Sequence, residues 1–246
     1  MAKGRGAFLV FEGCDRAGKS TQVKMLIEAL NKKQIDIAQR SFPGKQTFFF
    51  IVTVKYTKMN WLTVLIRQSR SRNRSSPTGK LLDSFLSKKL DLPAETAHLL
   101  FSANRWECKH DILKTLQSGV TLVVDRYAPS GAAYTSAATG KCLKWCKECD
   151  RGLPSPDIVV FLKVSLDSQA KRAGWGKERF ENSELQQKVA KNYELLKDET
   201  WSTIDANQDL EKIHNEILEK ALAVIENVKE KPVGVLYESS TSDSCR

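Results

Sequence analysis

Residues 7–20 read Ala-Phe-Leu-Val-Phe-Glu-Gly-Cys-Asp-Arg-Ala-Gly-Lys-Ser. A short apolar, β-prone run leads into a complete G-x-x-x-x-G-K-[ST] phosphate loop at 13–20. After it, Val23, Leu26, Ile27 and Leu30 recur at helical spacing. Strand, glycine loop and helix in that order is the context the motif requires. The residue types follow from the chemistry of phosphate. Gly13 and Gly18 let backbone N–H groups close around phosphate oxygens with no side chain in the way. The helix starting at Lys19 turns its positive end toward the same anion. Lys19 reaches for the β- and γ-phosphates, and Ser20 offers a hydroxyl oxygen to Mg²⁺. A chance glycine-rich turn is the alternative, and it does not account for both flanks.

Beyond the loop, short β-type runs alternate with helical patterns. Strands are predicted at 7–12, 35–41, 120–125, 158–164 and 202–206, and helices at 19–31, 80–88, 94–118, 167–173, 183–200 and 210–228. The last carries Leu210, Ile213, Ile217, Leu218, Ala221, Leu222 and Ile225 on one face. Alternation of this kind predicts an α/β fold, a five-stranded parallel sheet with helices on both faces. One domain is expected over 1–237, followed by a polar, Ser-rich, frayed tail at 238–246. Ligands of such sheets bind beyond the carboxyl ends of the strands. The chemistry-bearing residues fall there: Gly13 after the first strand, Phe42 and Pro43 after the second, Asp125 and Arg126 at the end of the third.

A chain of 246 residues has room for one large α/β domain. No stretch is long and apolar enough to span a bilayer, and the first residues lack the apolar segment of a signal peptide, so no membrane partner is expected. The six cysteines are scattered, with Cys14 inside the phosphate loop, which suits a reducing compartment better than a disulfide framework. Cys142, Cys146 and Cys149 cluster without a fourth ligand at metal-site spacing and read as free thiols near a surface. The net charge of +10 raises the question of nucleic acid. Residues 44–73, however, carry Lys45, Lys55, Lys58, Arg67, Arg70 and Arg72 and no acid, which is +6 of the total. The remainder is ordinary for a protein that binds nucleotide phosphates, and no nucleic-acid partner is expected.

Four further motifs accompany the phosphate loop: Phe42-Pro43, the run FSANRWE at 101–107, Asp125-Arg126-Tyr127, and KRAGWGKERF at 171–180. Each has a reading from its residue types. Phe101 and Arg105 are four apart on a predicted helix and share a face. An aromatic plane with a guanidinium fork suits a base held by stacking and by its edge, while a core Phe beside a surface Arg is the plainer alternative. Asp125 at a strand end is placed to help hold Mg²⁺, and Arg126 to clamp a phosphate; a strand-terminal salt bridge is the alternative. Asp15 and Arg16 put charges at variable loop positions, where an acid is unfavourable beside phosphate unless it has a task. The two glycines and four cations of 171–180 suit a mobile basic lid, or else a solvated helix end.

Taken in order, the five motifs closely resemble those of eukaryotic thymidylate kinases, over the whole chain except 44–73 and the tail. The resemblance implies a P-loop nucleoside monophosphate kinase fold and transfer of the ATP γ-phosphoryl group to dTMP, with Mg²⁺, in dTTP biosynthesis. It implies that Gly13, Arg16, Ala17, Gly18, Lys19, Ser20, Thr21 and Arg172 hold ATP, and that Ser20 and Asp125 serve the metal. It implies that Asp15, Arg16, Lys19 and Arg126 carry the chemistry, Asp15 contacting the acceptor sugar and Arg16 stabilising the transferring group from within the loop. It places dTMP against Asp15, Phe42, Arg74, Phe101, Arg105, Arg126, Ser130, Tyr134 and Phe180. It also implies a homodimer, cytoplasmic, with nucleus and mitochondrion as further compartments. Another nucleotide or nucleoside kinase, with dUMP or an analogue as acceptor, is a rival reading.

Residues 44–73 interrupt the pattern. In the family Phe-Pro is followed almost at once by an Arg and a Gly-Lys-Leu-Leu helix start, which here are Arg74 and Gly79-Lys80-Leu81-Leu82. The intervening segment is apolar, then basic, and reads as an insertion from a translated intron or alternative exon. Two outcomes are open: Arg74 still returns to the acceptor phosphate, or the chain binds ATP without efficient dTMP turnover.

Overall fold

The apolar runs become strands β1 (Phe8–Glu12), β2 (Ile37–Ser41), β3 (Thr121–Asp125), β4 (Ile158–Lys163) and β5 (Trp201–Asp205) in a computed structural model that describes residues 4–42, 76–170 and 179–238. All neighbours pair in parallel in the order β2-β3-β1-β4-β5. The register aligns Phe11 and Ser41 with Asp125, so β1, β2 and β3 end level with one another. Parallel neighbours need crossover connections, and these supply the helices. They are α1 (Lys19–Lys32), α2 (Pro77–Leu86), α3 (Ala94–Glu107), α4 (Lys109–Gln117), α5 (Ala128–Thr139), α6 (Leu143–Glu148), α7 (Leu166–Ala170), α8 (Ser183–Leu196) and α9 (Leu210–Asn227).

Side-chain alternation splits the core into the two faces of the sheet. Phe8, Val10, Leu122, Val124 and Val159 pack with Ile112 and Leu116 of α4. Leu9, Phe11, Val123 and Val160 pack with Val23, Leu26 and Leu30 of α1 and with Ile213 and Ile217 of α9. Each fully buried side chain of this size contributes about 1.5–3 kcal/mol of transfer free energy. Burial of β1 on both faces explains why its sequence reads as a continuous apolar run.

The structure departs from the sequence reading at the helices. The stretch 94–118 is two helices, because at Cys108 the backbone tightens: its N–H bonds Arg105 O at 3.0 Å, three residues back rather than four. Helix α2 starts earlier than predicted, at Pro77, with the Ser76 hydroxyl accepting the Gly79 N–H at 3.2 Å. Helix α8 stops at Leu196 rather than 200, where Lys197 turns extended. Helices α5 and α6 have no counterpart in the reading. α5 is APSGAAYTSAAT, a run of small residues with no apolar stripe, and it packs closely on α8 and α6. Of the cluster expected as surface thiols, Cys142 is exposed but Cys146 is wholly buried, and no metal-binding group forms there among the described residues. The segment 44–73, Arg74, Arg172 and most of the 171–180 motif lie outside the described residues, as does the tail beyond residue 238. Among the described residues no helix is long and apolar enough to cross a membrane.

Candidate active site

The carboxyl ends of β1, β2 and β3 open into a cavity of about 830 Å³. One wall is the phosphate loop. Gly13 sits at φ 145° and Gly18 at φ 95°, conformations that suit glycine. A Cβ on Gly13 would lie 2.6 Å from Leu162 O of β4. Arg16 also takes a left-handed backbone, φ 59°, strain of the sort that collects at functional loops. Ala17, Gly18, Lys19, Ser20 and Thr21 all line the cavity.

Lys19 is 6% exposed and donates to Gly13 O at 3.0 Å and Cys14 O at 2.7 Å. Burial, helped by the nearby Arg126 cation, lowers its pKa from 10.5 to about 8. Burial pushes the neighbouring Cys14 thiol up to about 11, so it remains protonated. Ser20 Oγ donates to Asp125 Oδ2 at 2.5 Å. The two expected metal-serving residues thus meet, from the loop and from the end of β3. Two hard oxygen donors with room for phosphate and water oxygens form the donor set Mg²⁺ takes.

Asp15 and Arg126 join the two sides of the cavity. Arg126 NH2 donates to Asp15 Oδ1, and Arg126 NH1 reaches Gly13 O and Ser130 Oγ, both at 3.2 Å. Its guanidinium carbon lies 5.2 Å from the centre of the Tyr134 ring. Burial works to raise the Asp15 pKa, but Arg126 and Lys19 outweigh it and hold the carboxyl below its usual value. Like Arg16, Arg126 has a left-handed backbone, φ 67°. Arg16 is gripped by Glu181, Nε to Oε1 at 2.5 Å.

The opposite wall is aromatic. Phe101 meets Phe85 at 6.3 Å between ring centres, Phe85 meets Phe180 at 6.4 Å, and Phe180 meets Tyr134 at 5.6 Å. Phe42 closes the β2 end and packs on Tyr127. Arg105 lies at the back of this wall, paired with Asp150. Of the expected site residues within the described chain, Gly13 lies just behind the lining and the others line the one cavity. Phe101 and Arg105 do share a face of α3, but Arg105 is buried, 3% exposed, rather than a surface cation.

The reading from sequence misses five residues. Glu12 closes β1, wholly buried, and accepts from Tyr127 N at 2.8 Å, Ser130 Oγ at 2.6 Å and Tyr193 Oη at 3.0 Å. Burial raises its pKa against those bonds. Gln186 of α8 donates to Asp15 Oδ2 at 2.7 Å and to Phe180 O at 2.9 Å, and accepts from Asp15 N at 3.0 Å. Phe85, Glu181 and Asp150 complete the set. Only Glu12 leaves a signal in sequence, an acid ending an apolar run.

Comparison with known proteins agrees with this geometry. A family model described as thymidylate kinase matches residues 44–217. The thymidylate kinase of Homo sapiens is 41% identical over 241 residues, covering 97% of this chain and 100% of that protein. That of Danio rerio is 38% identical over 240 residues, covering 96% and 100%. The solved structure of thymidylate kinase from Candida albicans superposes with a TM-score of 0.72 at 28% identity, covering 94% of this chain and 98% of that one. With a full phosphate loop facing a basic and aromatic wall, and with relatives matched from end to end, this chain belongs to the thymidylate kinase family of phosphotransferases.

Proposed function

We propose that this chain transfers the γ-phosphoryl group of ATP to dTMP, giving ADP and dTDP on the route to dTTP. The observation that carries the reading is the single cavity that joins the phosphate loop to an Arg126 clamp and an aromatic wall with a buried Arg behind it. Ala17, Gly18, Lys19, Ser20 and Thr21 bind the donor phosphates, Lys19 and Arg16 neutralising the transferring group. Arg16 is released from Glu181 to do so. Arg126, oriented by Ser130 and Asp15, holds the acceptor phosphate, one oxygen of which attacks the γ-phosphorus in line. The new P–O bond forms as the bond to the β-phosphate oxygen breaks. Ser20 and Asp125 would hold Mg²⁺, which when bound supplies charge neutralisation between the β- and γ-phosphates. Phe101 and its aromatic neighbours stack on the base, and Asp15 meets the sugar. No protein nucleophile takes part; catalysis is positioning and electrostatics. A homodimer is proposed from the family resemblance, tested by sedimentation.

The impaired form draws no support from the comparisons. An acceptor panel tests the reading: ADP release from Mg-ATP in the presence of dTMP, dUMP and thymidine. The expected result is turnover with dTMP well above the other two. Turnover with thymidine as good as with dTMP would overturn the monophosphate clamp, and no turnover with any acceptor would favour the impaired form.

A further inference from the structure

Behind the aromatic wall lies a polar cluster that the phosphoryl transfer does not use. Asp150 follows α6 and is 0% exposed. It takes two parallel bonds from Arg105, Nε to Oδ1 at 2.9 Å and NH2 to Oδ2 at 2.6 Å. Ser102, one turn earlier on α3, donates to the same Oδ1 at 2.8 Å. The backbone carrying Asp150 is fixed from several sides. Ser102 Oγ and Trp106 Nε1 each reach Cys149 O at 2.8 Å, and His98 Nε2 lies 3.0 Å from Cys146 O. Just after it, Gly152 N bonds Leu236 O at 3.1 Å and Leu236 N bonds Leu153 O at 2.8 Å, so the carboxy-terminal strand of chain pins the loop.

The other side of the guanidinium is shaped by an absence. A Cβ on Gly131 of α5 would lie 2.9 Å from Arg105 NH2 and 3.2 Å from NH1. The guanidinium therefore rests against bare α5 backbone, with its planar edge locked to Asp150. Nε–H and one N–H of NH2 are spent on that carboxylate. Among the described residues NH1 has no hydrogen-bond partner, and Arg105 lines the cavity.

We propose that Asp150 is the positioning residue for base selection: by locking Arg105 it holds the donor-only NH1 end of the guanidinium toward the acceptor base, and so sets the preference for a pyrimidine bearing a carbonyl rather than an amino group at that edge. The inference rests on the reading that Arg105 faces the base. Guanidinium nitrogens only donate. A fixed donor pairs with a carbonyl and meets an exocyclic amino group donor to donor. Sites built around a required hydrogen bond discriminate more sharply than apolar ones. An Arg free to rotate would swing away from an amino group instead of meeting it donor to donor, and the preference would relax. The two bonds to Asp150, the Ser102 support and the bare Gly131 backbone together remove that freedom.

The test is equilibrium binding of dTMP and of 5-methyl-dCMP, which differ at that edge and keep the same methyl, to the full chain by calorimetry, with ATP affinity and melting temperature alongside. In Asp150→Asn the ratio of the two affinities is expected to fall about tenfold or more, the worth of one directed hydrogen bond, with ATP affinity unchanged. A folded Asp150→Asn that keeps the wild-type ratio, however much both affinities drop, would overturn the proposal. Should that variant not fold, Ser102→Ala is expected to lower the ratio about threefold, and an unchanged ratio there overturns it equally. The double variant Arg105→Met with Asp150→Asn, which removes both charges, separates the two ideas. If it still discriminates like wild type, Arg105 does not face the base and the proposal falls with that reading. If it loses discrimination while Asp150→Asn alone keeps it, only the positioning role falls.

Discussion

The two walls of the cavity are built in opposite ways. The donor wall is contiguous: residues 15–21, from the phosphate loop into the first turn of α1, supply most of it. The acceptor wall is gathered from Phe42 after β2, Phe85 on α2, Phe101 and Arg105 on α3, Arg126 after β3, Ser130 and Tyr134 on α5, and Phe180 before α8. A contiguous site carries its geometry in local backbone and a few glycines. A gathered site depends on helix packing and on side chains such as Gln186 and Asp150 that hold the contacting groups in place. The two walls should therefore fail differently when perturbed.

The largest effect is expected on the donor side. Lys19→Met should lower kcat by about 10²–10³-fold, the cost of removing a cation aimed at developing charge. Acceptor affinity should stay within about twofold, because among the described residues Lys19 donates to carbonyls of the loop, Gly13 O and Cys14 O. Rapid-mixing kinetics with separate dTMP titrations checks this, and a large drop in dTMP affinity would break the separation of the walls. Next comes Arg126→Gln, expected to cost about 10²-fold in kcat/KM for dTMP, since it removes a clamp and leaves Asp15 without its cation. Its effect on ATP affinity sharpens the comparison. Asp15 belongs to the loop, so this pair is where the walls touch, and a several-fold change there measures how far they are coupled.

A smaller effect is thermodynamic. The buried Lys19 has its pKa lowered from 10.5 to about 8. Below pH 8 the folded protein carries the full cost of the buried charge. Between pH 8 and 10.5 the unfolded chain binds this proton more tightly than the folded one, so the contribution of Lys19 to stability rises with pH, by at most about 1.4 kcal/mol per pH unit. Lys19→Met should accordingly melt higher than wild type at pH 7, with the gap closing as pH increases through that window. A gap that widens would contradict the assignment. The smallest expected effect lies in the acceptor wall's support. Asn182 caps α8 by accepting the Leu185 N–H, and Asn182→Ala should cost about 1 kcal/mol of stability. Because Gln186 lies in the first turns of α8, dTMP affinity should fall with it, while ATP affinity holds.

The same contrast explains how much of the fold and of the site is legible in the sequence. All five strands and the phosphate loop were legible, because buried parallel strands are apolar runs and the loop is a local motif. The first strand, its glycine turn and α1 needed no tertiary information. Helix α5 was not legible, since its small residues serve close packing against α8 and room for Arg105 at Gly131, and neither leaves a periodic stripe. The break at Cys108 is a change of one hydrogen bond and equally silent. Phe101 and Arg105 could be seen as a pair on one helix face. That Arg105 would be buried against Asp150, 45 residues away in sequence, could not be.

The most direct measurement is a single-turnover quench of the full chain with Mg²⁺, ATP radiolabelled at the γ-phosphorus, and dTMP. Expected is label passing from ATP into dTDP with matching loss from ATP, and little in inorganic phosphate. Label released to water, or retained on ATP while both nucleotides are bound, would contradict a cavity that aligns donor and acceptor for direct transfer.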